Sequence, residues 1–293
     1  VALDNPVLSR NPYFNGKTPQ VGETATADQL RQMYDRPAGA EPQTQQTQQG
    51  LPQQTQPQAF PAAGSALPAS ERMTYDGVIV KTAMLFGTIL VGAVVGWMFP
   101  VLLLPGVIVG LVLGLVNSFK KQPSVPLILA YGVFEGLFVG AISQVFATTY
   151  YGGIVVQAVL ATLSVFAVTL VLFCSGKVRA SAKGAKILMI AMGGYLLFSL
   201  INVGMMVFGA TSNPFGVLGM QIFGIPVGVI VGILVVIMAA YSLVLDFDMV
   251  KTGVQQGAPA KFGWTAAFGI AVTVIWLYVE FLRLFAILAS SRD

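Results

Sequence analysis

Thr265-Ala-Ala-Phe-Gly-Ile-Ala-Val-Thr-Val-Ile-Trp-Leu-Tyr-Val-Glu280-Phe-Leu-Arg283-Leu-Phe-Ala-Ile-Leu288 is apolar throughout except for one carboxylate and, one turn later, one guanidinium. A run of this kind crosses a bilayer, because ~20 apolar residues at ~1.5 Å each span the ~30 Å hydrocarbon core. An Asp, Lys or Arg at membrane depth costs on the order of 2.5–3.5 kcal/mol on insertion scales, and ionisable residues there are kept where something pairs with them or an aqueous path reaches them. The stretch therefore specifies a polytopic membrane protein with charged groups in its interior.

Six more apolar segments precede it. They run roughly Val78–Phe99, Val101–Phe119, Pro126–Ala147, Gly153–Phe173, Ile187–Phe208 and Phe223–Leu245. The fold class this predicts is an all-α integral membrane protein: seven transmembrane helices in one bundle over residues 73–293, preceded by a tail over residues 1–72. The whole-chain composition agrees. Mean hydropathy is +0.76 and 10% of residues are charged, against roughly 25% in soluble domains. The tail is rich in Gln and Pro, notably over Glu41–Phe60, cannot bury a core and reads as disordered. Within it, Thr26 and Gln29 form a capping box, and Leu30, Met33 and Tyr34 fall on one face of a short amphipathic helix. No apolar segment comes before Val78, so the first membrane helix is expected to be its own insertion signal.

Basic residues sit on alternate sides of the segments. Lys120 and Lys121 follow the second, Lys177, Arg179, Lys183 and Lys186 the fourth, and Lys251 and Lys261 the sixth, while the loops after the first, third and fifth carry none. The positive-inside rule then places the N-terminus in the cytoplasm and the C-terminus outside. The pI near 9.2 reports this topology and not nucleic-acid binding. Glycines at four-residue spacing, Gly106, Gly110 and Gly114 in the second segment and Gly224, Gly228 and Gly232 in the sixth, predict close helix–helix approach in lipid.

Several chemistries are excluded. The chain has no histidine, which removes His-based metal sites, the Ser-His-Asp triad and histidine pH switching. The single Cys174 forms no internal disulfide or zinc cluster. No nucleophile–base pair and no phosphate-binding loop is visible, so an enzyme is not expected, nor a cofactor. Four acids remain in or at the edge of the membrane part: Glu135, Asp246, Asp248 and Glu280. Glu135 lies near the middle of the third segment among Gly132, Gly136 and Gly140. Asp246 and Asp248 are expected at the cytoplasmic end of the sixth helix, on different faces. Asp248 there has Lys251 within reach. Arg283, three residues after Glu280, can pair with it on one face. Lys81 is expected to snorkel to the cytoplasmic interface. Calcium takes six to eight oxygens and few acids lie in the membrane part, so these residues name no metal.

Three motifs resemble one family. Phe134-Glu-Gly-Leu-Phe-Val-Gly-Ala-Ile-Ser-Gln-Val-Phe146 resembles the third-helix signature of the Bax inhibitor-1 family. Asp246-Phe-Asp-Met-Val250, after Tyr241-Ser-Leu-Val-Leu245, is similar to its acidic motif at the end of helix 6. Leu277-Tyr-Val-Glu-Phe-Leu-Arg-Leu-Phe285 is similar to its final-helix signature. The resemblance covers about residues 73–291 and leaves the tail as an addition. The tail's opening, Asn5-Pro-Val-Leu-Ser-Arg-Asn-Pro-Tyr-Phe14, resembles an actinobacterial branch. The resemblance implies a bacterial plasma-membrane protein with its last helix near the bundle centre. It also implies a pH-sensitive calcium or proton leak, in which an acid of helix 6 and an acid of helix 7 share a proton, since two close carboxylates do not both ionise cheaply. Matching on Leu-Tyr-x-acid puts Glu280 in the helix-7 position. Matching on the terminal Leu-Arg run puts Thr273 there and removes the acid pair. Helix 2 lacks the arginine that latches the pair in some members, which leaves Arg283 as the substitute. The gate residues expected are thus Asp246, Glu280, Arg283 and Glu135, with Asp248 and Thr273 as secondary candidates. The alternative is a non-conducting regulator, or an accessory subunit of a membrane protease, that meets a protein partner through residues 1–72 and the Lys177–Lys186 loop.

Overall fold

The computed structural model describes residues 71–211 and 213–291. The tail reading over residues 1–70, with the short helix at Thr26–Tyr34, lies outside them. Seven helices among the described residues are long and apolar enough to cross a membrane. They are α1 (Tyr75–Met98), α2 (Leu103–Phe119, entered through a 3₁₀ turn at Pro100–Leu102), α3 (Val125–Thr149), α4 (Ile154–Cys174), α5 (Ala182–Val207), α6 (Val227–Gln255) and α7 (Gly263–Ser290).

The helix starts follow local chemistry. Thr74 caps α1, its hydroxyl accepting from Gly77 N at 3.1 Å, and Asp76 sits in the first turn. This satisfies an otherwise orphaned backbone donor and places an acid at the positive end of the helix, so α1 begins three residues before the apolar run. Ser181 caps α5 in the same way. Pro126 stands in the first turn of α3, where its missing N–H costs nothing.

The last helix is the axle of the bundle. Over its most apolar stretch α7 is 67% buried, against 11% for α2 and for α5. It packs against α1, α4 and α6 and supplies residues to every apolar cluster of the core, among them Ala266, Leu277, Ala271, Ile275 and Leu282. Around it, α3 is sandwiched between α1 and α2. Side chains added at Gly136 or Gly140 of α3 would run into the α1 backbone at Ile89 and Ala93, and one at Gly106 of α2 would meet the α3 backbone at Phe138. Without a hydrophobic drive between helices in lipid, such backbone proximity is how the contact gains its van der Waals energy. α5 is the outlier: only Leu188 and Asn202 are buried on it.

The sixth helix differs from expectation at both ends. It starts at Val227 and not at Phe223, because Gln221–Ile222 and Ile225–Pro226 pair as a two-residue antiparallel hairpin. Phe223 (φ 53°) and Gly224 (φ 79°) form its turn, the positive-φ pair that a tight hairpin requires. Gly224 therefore belongs to a turn and not to a packing ladder, whereas Gly228 and Gly232 do face α7, under Ile287 and Leu284. At its other end the helix continues to Gln255, so Asp246 and Asp248 lie inside it and not at its end. Met249, Val250 and Gly253 remain buried in that extension, and tertiary burial prolongs the helix past the point where hydropathy falls.

The basic loops share one end of the molecule. Met73 N donates to Ala258 O at 2.7 Å, joining the start of α1 to the α6–α7 loop, and Lys261 Nζ donates to Gln122 Oε1 at 2.9 Å, joining that loop to the α2–α3 loop.

Candidate functional site

Two polar stations lie along α7, at different depths. The first is Asp246. Thr273 Oγ1 donates to Asp246 Oδ2 at 2.7 Å, and Ser242 Oγ lies 3.5 Å from Thr273 Oγ1. Ser242 and Asp246 are one turn apart on α6 and so share a face, as do Gly269 and Thr273 on α7. The missing side chain of Gly269 makes the recess for the carboxylate: a Cβ there would lie 3.2 Å from Asp246 Oδ1. Asp246 is partly buried and Thr273 is buried.

The second station is Glu280, whose side chain is 3% exposed. Arg283 Nη2 pairs with Glu280 Oε1. Arg283 Nη1 donates to Tyr195 Oη at 2.6 Å, and Tyr195 Oη donates to Glu280 Oε2 at 3.2 Å. The three groups close a ring, and the guanidinium also stands 5.6 Å from the centre of the Tyr195 ring. The (i, i+3) spacing lets α7 present acid and base on one face. Both members of this ion pair lie on the last membrane-spanning helix.

The structure does not bring Asp246 and Glu280 together. Thr273 occupies the α7 position at Asp246, and Glu280 lies two turns away, ~10 Å along the axis at ~1.5 Å per residue. The α6–α7 register is the cause. Gly232, far up α6 from Asp246, faces Glu280, a Cβ there falling 3.4 Å from Glu280 Oε1. A carboxylate pair sharing one proton is therefore corrected to a carboxylate–hydroxyl contact, as the second of the two sequence registers requires. Arg283 serves Glu280 and does not latch Asp246.

Glu135 lies apart from both. Its Oε2 occupies the notch left by Gly110 of α2, where a Cβ would stand 2.8 Å away, about midway along α3. Asp248 is partly buried, with Lys251 as its charged neighbour. Lys81 Nζ reaches the start of α7 beside Gly263. Among the described residues no three His, Cys, Asp or Glu side chains gather as metal ligands.

Sequence reasoning missed Tyr195 and Ser242, and also the buried bond between Ser143 Oγ and Tyr278 Oη at 2.6 Å. The available signal was a hydroxyl side chain in the middle of an apolar helix, where an unpaired polar group is costly. Nothing local says which helix supplies the partner.

A seven-helix membrane bundle wound on a central last helix, with acids held inside it, defines the class. The model of the family described as Bax inhibitor 1 like matches residues 5–290, and the chain belongs to the Bax inhibitor-1 family. The match begins at residue 5 and so takes in the tail that the three motifs left aside. No curated protein matches the sequence.

Proposed function

We propose that this protein is a pH-sensitive cation leak of the bacterial plasma membrane, passing calcium or protons, and not an enzyme, with the Asp246–Thr273 contact as its gate. The observation that carries the reading is a carboxylate held within a membrane-spanning helix by a hydroxyl of the central helix at 2.7 Å, with no cationic side chain paired to it among the described residues. An uncompensated acid inside a helix bundle marks an ion or proton path by default. The bond joins α6 to α7, so a change of charge on Asp246 alters the contact between the helix that carries it and the axle of the bundle. Glu280 has its charge balanced by Arg283 and serves as a brace. Glu135, set against Gly110 of α2, is a second, partly buried acid available to the path. The N-terminus lies in the cytoplasm with the basic loops.

Calcium and proton flux into liposomes, from about pH 6 to about pH 8 where a carboxylate with a perturbed pKa titrates, tests this reading. Asp246→Asn is expected to flatten the pH response, while Glu280→Gln keeps it. Leak identical to wild type in Asp246→Asn at every pH overturns the gate.

A second reading is favoured by the family match reaching residue 5. Residues 1–72, with the Lys177–Lys186 loop, would bind a protease or another membrane complex from the cytoplasm. Deleting residues 1–70 is expected to abolish capture of that complex and to leave the leak intact.

A further inference from the structure

The α5–α6 connection, residues 208–226, contains no charged side chain. Its base is tied firmly to the bundle. Asn202 of α5 accepts from Val217 N at 2.8 Å and donates to Phe215 O at 3.1 Å, and Phe215 stacks on Tyr150 at the end of α3. Leu218 and Ile287 close over Gly228. From this platform the hairpin tip projects Ile222, Phe223 and Ile225, each about half exposed or more, with Phe223 fully exposed. Tight hairpin turns in water take Asn or Asp at the first positive-φ position. Here a phenylalanine holds φ at 53°, a conformation that disfavours a bulky side chain.

Depth favours lipid as the occupant. From Lys251 to Val227, α6 rises roughly 36 Å at ~1.5 Å per residue. That lies between the ~30 Å hydrocarbon core and the ~40–45 Å thickness that includes the headgroups. With Lys251 at the basic-end interface, the hairpin stands at headgroup level of the opposite leaflet. Its apolar tip is also continuous with the lipid-facing ends of α5 (Val203, Val207, Phe208) and α6 (Ile230, Ile233), all exposed. Elements that lie in the interface bury Trp, Phe or Leu ~5–10 Å into the headgroup–acyl boundary.

We infer that the hairpin is a membrane-seated wedge: Phe223, flanked by Ile222 and Ile225, inserts at the headgroup–acyl boundary of the leaflet opposite the basic loops. It moors α5, on which only Leu188 and Asn202 are buried, to the bilayer.

Nitroxide labels test this in the full chain, with Cys174→Ala as background, reconstituted in phosphatidylcholine vesicles. Labels are placed by Phe223→Cys, by Ile225→Cys as an independent second position, and by Ser291→Cys as the exposed reference at the same end. The tip labels are expected to show an accessibility ratio of oxygen to a water-soluble nickel chelate several-fold above that at Ser291. A ratio equal to that at Ser291 for both tip labels overturns the wedge. Labels shielded from both reagents, or spin–spin broadened against a second copy, overturn it in favour of a protein contact.

Discussion

Asp246 and Glu280 are both acids in a membrane bundle, yet one has a neutral partner and the other a charged one. Asp246 relies on a single neutral donor from Thr273. Thr273→Val keeps the shape and removes that donor, and leaving a buried acceptor unsatisfied costs about 1–3 kcal/mol. The expected outcome is a lower midpoint of thermal unfolding in detergent and an altered pH response of the proposed leak, both restored by Thr273→Ser. Glu280 is fully compensated within its ring. Arg283→Met strands a buried carboxylate, and breaking one side of a buried pair costs about 3–5 kcal/mol. The double variant Glu280→Leu with Arg283→Met is expected to recover most of that loss in the same unfolding assay. If the single and double variants unfold alike, the pair is not a brace.

Glycine placement sets how the helices meet. Gly140 of α3 lies against the backbone of Ala93, whereas the Cβ position of Gly87 on α1 opens onto empty space. Gly140→Leu is expected to separate α1 from α3 and to destabilise by about 1–3 kcal/mol or more. Gly87→Ala is expected to stabilise slightly, by up to about 1 kcal/mol of helix propensity. Equal behaviour of the two in thermal unfolding would sink the close-packing account. The four-residue glycine spacing was legible in the sequence for Gly106, Gly110, Gly228 and Gly232. It misled at Gly224, because periodicity does not distinguish the first turn of a helix from a hairpin that precedes it. The true start of α6 depends on Ile222 pairing with Ile225, and the true end depends on Met249 and Val250 finding buried partners.

For the molecule as a whole, the alternation of basic loops predicts one orientation. Alkaline phosphatase fused after Asp293 is expected to be active, and the same enzyme inserted in the Lys177–Lys186 loop inactive, since it folds only outside the cytoplasm. The reverse pattern inverts the topology. Seven spans, their alternating basic loops, the acids worth attention and the family signatures could all be read from the chain. Hydropathy over ~20 residues and loop charge are local quantities that the bilayer itself selects. The Glu280–Arg283 pair could be read as well, from its (i, i+3) spacing on one helix; the partners that other helices supply could not. Whether Asp246 meets Glu280 or Thr273 depends on how far α6 has slid along α7, and that is set by Gly232 settling under Leu284. Tyr195 reaches Arg283 only because α5 returns beside α7. Axial register between helices distant in sequence arises from packing, so only the tertiary structure placed Thr273 beside Asp246 and Tyr195 beside the Glu280–Arg283 pair.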